Sequence, residues 1–250
     1  MKSRSFLRAA TLCGVAALGL SFGVSSANAE TLSGWIGPTP PVNGNLYLHQ
    51  SSISNTPLTA DTRMYTAFGY AVPAYTIGVR TRLFKSGALC VINPVKFNSS
   101  LVASVTDPTT GDCGPGWYNS HGFALADTGS NYSEFVTFPT DPLQWGQTTA
   151  TPPAPVEVRT DAQGRTFGSA ENVESDADLP DFILSYGTDG TLGYIAASDL
   201  PSTPKTREEV LAAPREARGG GTEVLKSSIK TVPLYDESGN NKVGEFRIGG

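Results

Sequence analysis

The stretch Cys113-Gly-Pro-Gly-Trp-Tyr-Asn-Ser-His-Gly122 brings a thiol, two aromatic rings, a hydroxyl and an imidazole close together. A thiol or serine beside an imidazole is raw material for nucleophilic catalysis, in which the ring takes the proton of the attacking group. Two features of the chain speak against that chemistry. A second cysteine, Cys90, stands 23 residues upstream. In an oxidising compartment two cysteines pair by default, and a Cys90–Cys113 bridge removes the thiolate a nucleophile needs. Closing such a loop contributes roughly 3 kcal/mol in the chain-entropy account. The mature chain also lacks a Gly-x-Ser-x-Gly elbow, and no pair of carboxylates stands out from its turn residues. Its only imidazoles, His49 and His121, sit in neither H-x-H nor H-E-x-x-H spacing. Asp161 and Asp189 lie in turns without the D-x-D-x-D-G ligand pattern, so no metal or cofactor is expected. No catalytic residue is assigned. The stretch offers surface chemistry instead: Trp117, Tyr118 and His121, with Tyr132 further on, are the candidate ligand or partner contacts.

The compartment is read from the first residues. Lys2, Arg4 and Arg8 precede an apolar run from Ala9 to Val24, and Ala27-Asn28-Ala29 forms an A-x-A cleavage signal. This predicts a secretory signal peptide over residues 1–29. The run is too short and too rich in glycine and serine for a comfortable span. Ala-Thr-Leu before Cys13 makes a poor lipobox. Without the three bases of that segment, the 18 Lys and Arg fall to 15 against 23 Asp and Glu, a net charge of −8. A chain this acidic, with no basic stripe, is unsuited to nucleic acid or an anionic membrane. The expected product is secreted, works at or near the cell envelope, and inserts into no membrane after cleavage.

Positioning these residues falls to strands. The mature chain divides at "QTTATPPAP", a stiff proline-rich linker over 147–155. Residues 30–58 read as an N-terminal arm and 59–146 as a disulfide-tied β-sandwich. In "YTIGVRTRLF", Tyr75, Ile77, Val79, Thr81 and Leu83 alternate with Gly78, Arg80 and Arg82, the pattern of a half-buried strand with its bases toward water. "KSG" at 85–87 turns the chain and "ALCVI" returns it. "SLVASVT" at 100–106, "WYNSHGFAL" and "YSEFVTF" are further strands, the last two joined by the turn "DTGSN". Trp117, Asn119, His121 and Phe123 then share one face and Tyr118, Ser120 and Gly122 the other. On that face His121 reads as a half-buried histidine among apolar neighbours.

Residues 156–250 have another rhythm. Asp161 to Gly164 turns one hairpin. Thr188-Asp189-Gly190 turns a second, between Phe182–Tyr186 and Leu192–Ala196. "TPKTREEVLAA" is a helix with Thr206 and Glu209 as its capping box and Pro214 beyond its end. "PREARGGGTEV" reads as a flexible loop, and Val232–Tyr235 with Lys242–Ile248 closes the chain as a hairpin. The fold class is therefore mainly β: an N-terminal antiparallel β-sandwich or small barrel, plus a small C-terminal module of β-hairpins with one short helix.

The series "DAQGRTFGSA", "LPDFILSYGTDGTLGYIAASDL", "PKTREEVL" and "VPLYDESGNNKVGEFRI" resembles a C-terminal extracellular module of Gram-positive bacterial proteins. That module recurs in secreted actinobacterial proteins and in chains labelled BlaR-like (penicillin-sensor) metallopeptidases. The resemblance implies an extracellular place and an actinobacterial kind of source. It does not imply the peptidase, whose H-E-x-x-H pair this chain lacks. The function that follows is an exported non-enzymatic protein that binds an unidentified protein or an envelope glycan. Carbohydrate binding on Trp35, Trp117 or Trp145 is one alternative, and a secreted antimicrobial or inhibitor protein another. A hydrolase would need His121 as base with a distant aspartate, and no motif frames one.

Overall fold

The computed structural model describes residues 29–146, 151–218, 222–225 and 231–249. Residues 1–28 of the expected signal peptide and the first four residues of the linker lie outside the described residues. The chain opens with β1 (Thr31–Ser33), β2 (Gly37–Pro38), β3 (Tyr47–Asn55) and β4 (Leu58–Thr66). It continues through β5 (Ile77–Lys85), β6 (Ala88–Ile92), β7 (Lys96–Asn98) and β8 (Ser104–Thr110). Then come β9 (Gly116–Asp127), β10 (Tyr132–Val136) and β11 (Leu143–Trp145). After the linker follow β12 (Arg159–Thr160), β13 (Thr166–Gly168), β14 (Phe182–Tyr186), β15 (Leu192–Ala196) and α1 (Arg207–Ala212). The last strands are β16 (Arg215–Arg218), β17 (Thr222–Leu225), β18 (Thr231–Tyr235) and β19 (Lys242–Arg247).

A first antiparallel sheet runs β1-β3-β4-β8, with β2 also on β3. The residues read as an arm thus supply three of its strands. In the second sheet β9 pairs with β5, β10 and β11, while β5 also pairs with β6 and β7. The inward-pointing residues of the two sheets meet as one apolar layer, Tyr47, Met64 and Val105 against Ile77, Val79 and Ala124. This is the expected sandwich; the sheets do not close into a barrel. β8 begins at Ser104, four residues beyond the expected start of its strand.

The hairpins after the linker form where turn chemistry placed them. Gly164 and Gly190 take the left-handed backbone (φ +82° and +83°) that their turns require. α1 carries the full capping box, Glu209 N–H on Thr206 Oγ1 and Thr206 N–H on the Glu209 carboxylate. One expectation fails here. The segment read as a flexible loop contains β16 and β17, which pair with each other, and β17 adds antiparallel to β7. An open strand edge recruited residues whose own composition argued for a loop.

The largest core crosses the linker. Phe84, Leu89, Phe97, Phe123 and Leu125 pack with Ile183, Ile195, Val210, Leu234 and Phe246. The second face of β5 and β9 is therefore covered by the hairpins, and that overturns the reading of β5 as half-buried. Arg80 and Arg82 do not point to water; each is 1 % exposed. Strand alternation assigned them correctly to one face, but it carries no information on what lies against that face.

Candidate functional site

Cys90 and Cys113 form the disulfide. Tyr118 is fully buried behind it: its hydroxyl accepts from the Cys113 N–H at 2.9 Å and donates to the Gly114 carbonyl at 2.7 Å. Burial pushes its pKa well above the ordinary phenol value, so it remains a neutral brace for the disulfide loop. His121 is only 2 % exposed, stacked on Phe84 with ring centroids 4.8 Å apart. Its Nδ1 lies 3.0 Å from Arg82 Nη2. An arginine can only donate, so Nδ1 accepts and the ring proton sits on Nε2. Burial, then the Arg82 charge, holds the imidazole pKa well below its usual value, and the ring stays neutral.

Tyr118 and His121 thus correct the expectation of four surface contacts, since the hairpin layer and the first sheet cover them. Trp117 and Tyr132 remain half-buried, near opposite ends of β9's pairing. Trp117 borders a hollow of about 150 Å³ with linker residues Pro152, Pro153 and Pro155. The four residues do not form one site.

Tyr132 lines a different and larger feature, a cleft of about 370 Å³ between the β5/β9/β10 face and residues 175–205. Its charged lining comes from Arg80, Glu134, Asp176 and Lys205, and hydroxyls from Thr203 and three serines join them. Arg80 clamps the far wall. Its Nη1 donates to Asp176 Oδ2 and Thr203 Oγ1, both at 3.0 Å, and its Nη2 donates to the Pro201 carbonyl at 3.0 Å. Nε holds the Asn93 carbonyl at 3.0 Å. Glu134 reaches the same wall more loosely, accepting the Asp176 N–H at 3.5 Å, while its Oε1 is buried without a hydrogen-bond partner. Burial, with the Asp176 charge adding to it, raises the Glu134 pKa to about 7; the Asp176 N–H and the two arginines oppose the shift.

Arg82 lies deeper, with its guanidinium 4.1 Å over the Phe123 ring. Nη1 donates to the Ala170 carbonyl at 3.1 Å and Nη2 to His121, but Nε has no partner. Among the described residues no carboxylate stands within ion-pair distance of it. Burial draws even this guanidinium down to about 9. Beneath the cleft, then, lie one paired and one unpaired buried cation, a neutral imidazole, and a carboxyl that can hold or release a proton near neutral pH.

None of Arg80, Glu134, Asp176 and Thr203 was singled out as a site residue from the sequence. The available signal was Arg-x-Arg in a strand whose other residues are apolar and β-branched. Among the described residues no group of three or more His, Cys, Asp or Glu side chains could hold a metal ion. No described helix is long and apolar enough to cross a membrane. Comparison with protein-family models, with curated proteins and with solved structures gives no match.

Proposed function

We propose that the mature chain is an exported, non-enzymatic binding protein acting at or near the cell envelope. The cleft over Arg80 is its seat for a polar group of a protein or glycan partner. The cleft itself carries the reading. Its volume is within the range of small-ligand sites, and it joins apolar walls (Leu125, Leu200) to a few converging polar groups, the usual make-up of such sites. The disulfide accords with export.

A second reading has one observation in its favour. A carboxyl raised toward neutrality beside a second carboxylate in a cleft is how acid–base pairs are set. Against it, Glu134 Oε1 is closed off from solvent, and Asp176 is tied to both Arg80 and Thr203. Neither is poised to meet a substrate atom, and binding is favoured.

The test uses the mature protein, residues 30–250, incubated with a muramidase digest of cell wall and examined by native mass spectrometry. The expected result is a retained adduct that disappears in Ser202→Trp, which sets an indole at the cleft mouth from an exposed position. An adduct that survives this substitution overturns the cleft as the seat, and no adduct on the wild type overturns the glycan as its partner.

A further inference from the structure

An exposed apolar patch lies where a link of the first sheet meets a link of the second. Trp35 is 82 % exposed, and Ile36 and Phe138 are each 50 % exposed. Trp35 and Ile36 occupy the link between β1 and β2, and Phe138 the link between β10 and β11. The two links touch. A Cβ built on Gly34 would fall 2.3 Å from the Phe138 carbonyl oxygen and 2.9 Å from that of Pro139. Only glycine allows this approach, and it seats the Trp35 and Phe138 segments side by side. Neither segment is slack: the Gly34 N–H donates to the Ser51 carbonyl and the Gln50 side-chain amide to the Gly34 carbonyl, both at 2.9 Å, while the Thr137 and Thr140 N–H groups flanking Phe138 donate to the Gly122 and Ser120 carbonyls at 2.9 and 3.0 Å.

We propose that this patch binds a polysaccharide through the uncharged faces of its sugar rings, stacked on Trp35, with Phe138 as the second platform. Three arguments fix the occupant. Residues 31–60 contain no Asp, Glu, Lys or Arg, so the link that carries Trp35 offers an ionic partner no charged side chain of its own. The apolar area offered is on the order of 300–400 Å². That is about half of what a stable protein–protein interface takes from each partner, so a second copy of the chain or a folded protein is poorly served. An indole exposed on a braced link gives the apolar face of a pyranose a flat surface at little entropic cost. The patch rests on Trp35 and Phe138 alone and stands or falls independently of the cleft.

The experiment measures depletion of the mature protein, residues 30–250, by suspended chitin, cellulose and purified peptidoglycan, at 0.05 and 0.5 M NaCl (about a threefold change in screening length). At least one glycan retains the wild type equally at both salts. Trp35→Ala weakens that retention at least about tenfold without lowering Tm, and Trp35→Phe, which keeps a ring, restores part of it. Bound glycan also shifts the indole fluorescence of the wild type but not of Trp35→Ala. Four outcomes overturn the proposal: no retention on any of the three, equal retention of Trp35→Ala, retention that salt abolishes, or a Trp35→Ala protein that has lost its fold. Retention on phosphatidylcholine vesicles in place of glycan would also sink it, and would assign the patch to a lipid surface.

Discussion

Methionine in place of Arg80, and separately of Arg82, distinguishes two buried cations that burial alone cannot tell apart. Both lie on one face of β5 and each is 1 % exposed. Arg80 is matched by Asp176 at 3.0 Å and satisfies two carbonyls and a hydroxyl. Removing it leaves a half-buried carboxylate without its cation and two carbonyls and a hydroxyl without their donor, which together cost about 3–5 kcal/mol. For a chain of this size 1 kcal/mol corresponds to about 2–4 °C, so Arg80→Met lowers Tm by roughly 6–20 °C. Arg82 has two hydrogen bonds and the Phe123 ring face, but no carboxylate partner. Its loss forfeits about 1 kcal/mol or somewhat more for each hydrogen bond and up to about 2 kcal/mol for the ring contact. It also relieves the desolvation of an unpaired cation, worth several kcal/mol. These nearly cancel, and Arg82→Met shifts Tm by less than about 5 °C in either direction. Thermal unfolding followed by circular dichroism at pH 7.5 reads both. If Arg82→Met falls as far as Arg80→Met, the assignment of paired and unpaired cations is refuted.

Three further substitutions test the site and the sandwich. Glu134 has its folded pKa raised from 4.5 to about 7, so its contribution to stability is full below pH 4.5 and is lost as pH rises through 7. Glu134→Gln therefore matches the wild type near pH 4 and exceeds it at pH 8, by no more than about 3 kcal/mol; His121, whose shift has the opposite sign, cancels in that difference. A wild type more stable than Glu134→Gln at pH 8 reverses the sign and removes the argument from burial. A Cβ on Gly122 would lie 2.2 Å from the Arg80 carbonyl and 2.3 Å from Thr62 Oγ1, whereas on Gly244 the nearest atom is 3.5 Å away. Gly122→Ala thus costs about 1–3 kcal/mol or more by overpacking, and Gly244→Ala stays within about 1 kcal/mol of the wild type; guanidinium midpoints compare them.

What the sequence disclosed is what short segments decide. Asp161–Gly164, Asp189–Gly190 and the Thr206/Glu209 pair each specify a turn or cap through neighbours within a few residues, and each appears in place. The Cys90–Cys113 bridge follows from there being two cysteines beyond the expected signal peptide. The candidate site was not legible, because its partners are remote: Arg80 meets Asp176 across 96 residues and Thr203 across 123. Period-two alternation states which side chains share a face; whether that face meets water is settled by hairpins a hundred residues away. The same limit hid β17, whose strand character comes from the β7 edge and not from its own glycine-flanked sequence. Trp35 was visible as a ring, and its exposure only as a possibility among three tryptophans.

The two binding surfaces differ in what they ask of the fold. Cleft walls come from both sides of the linker, Arg80 and Glu134 before it, Asp176 and Thr203 after it. The cleft exists only while the hairpins are seated on β5 and β9, and Arg80 is a principal tie between them. Trp35, Ile36 and Phe138 all precede the linker, on links braced by β3 and β9. A lesion that loosens the hairpin layer without unfolding the sandwich should therefore abolish the muramidase-digest adduct and leave retention on glycan intact. Arg80→Met, held below its lowered Tm, is that lesion. Loss of both activities together would mean that the hairpins also hold the Trp35 patch in place. The sandwich could not then be treated as the independent half of the molecule.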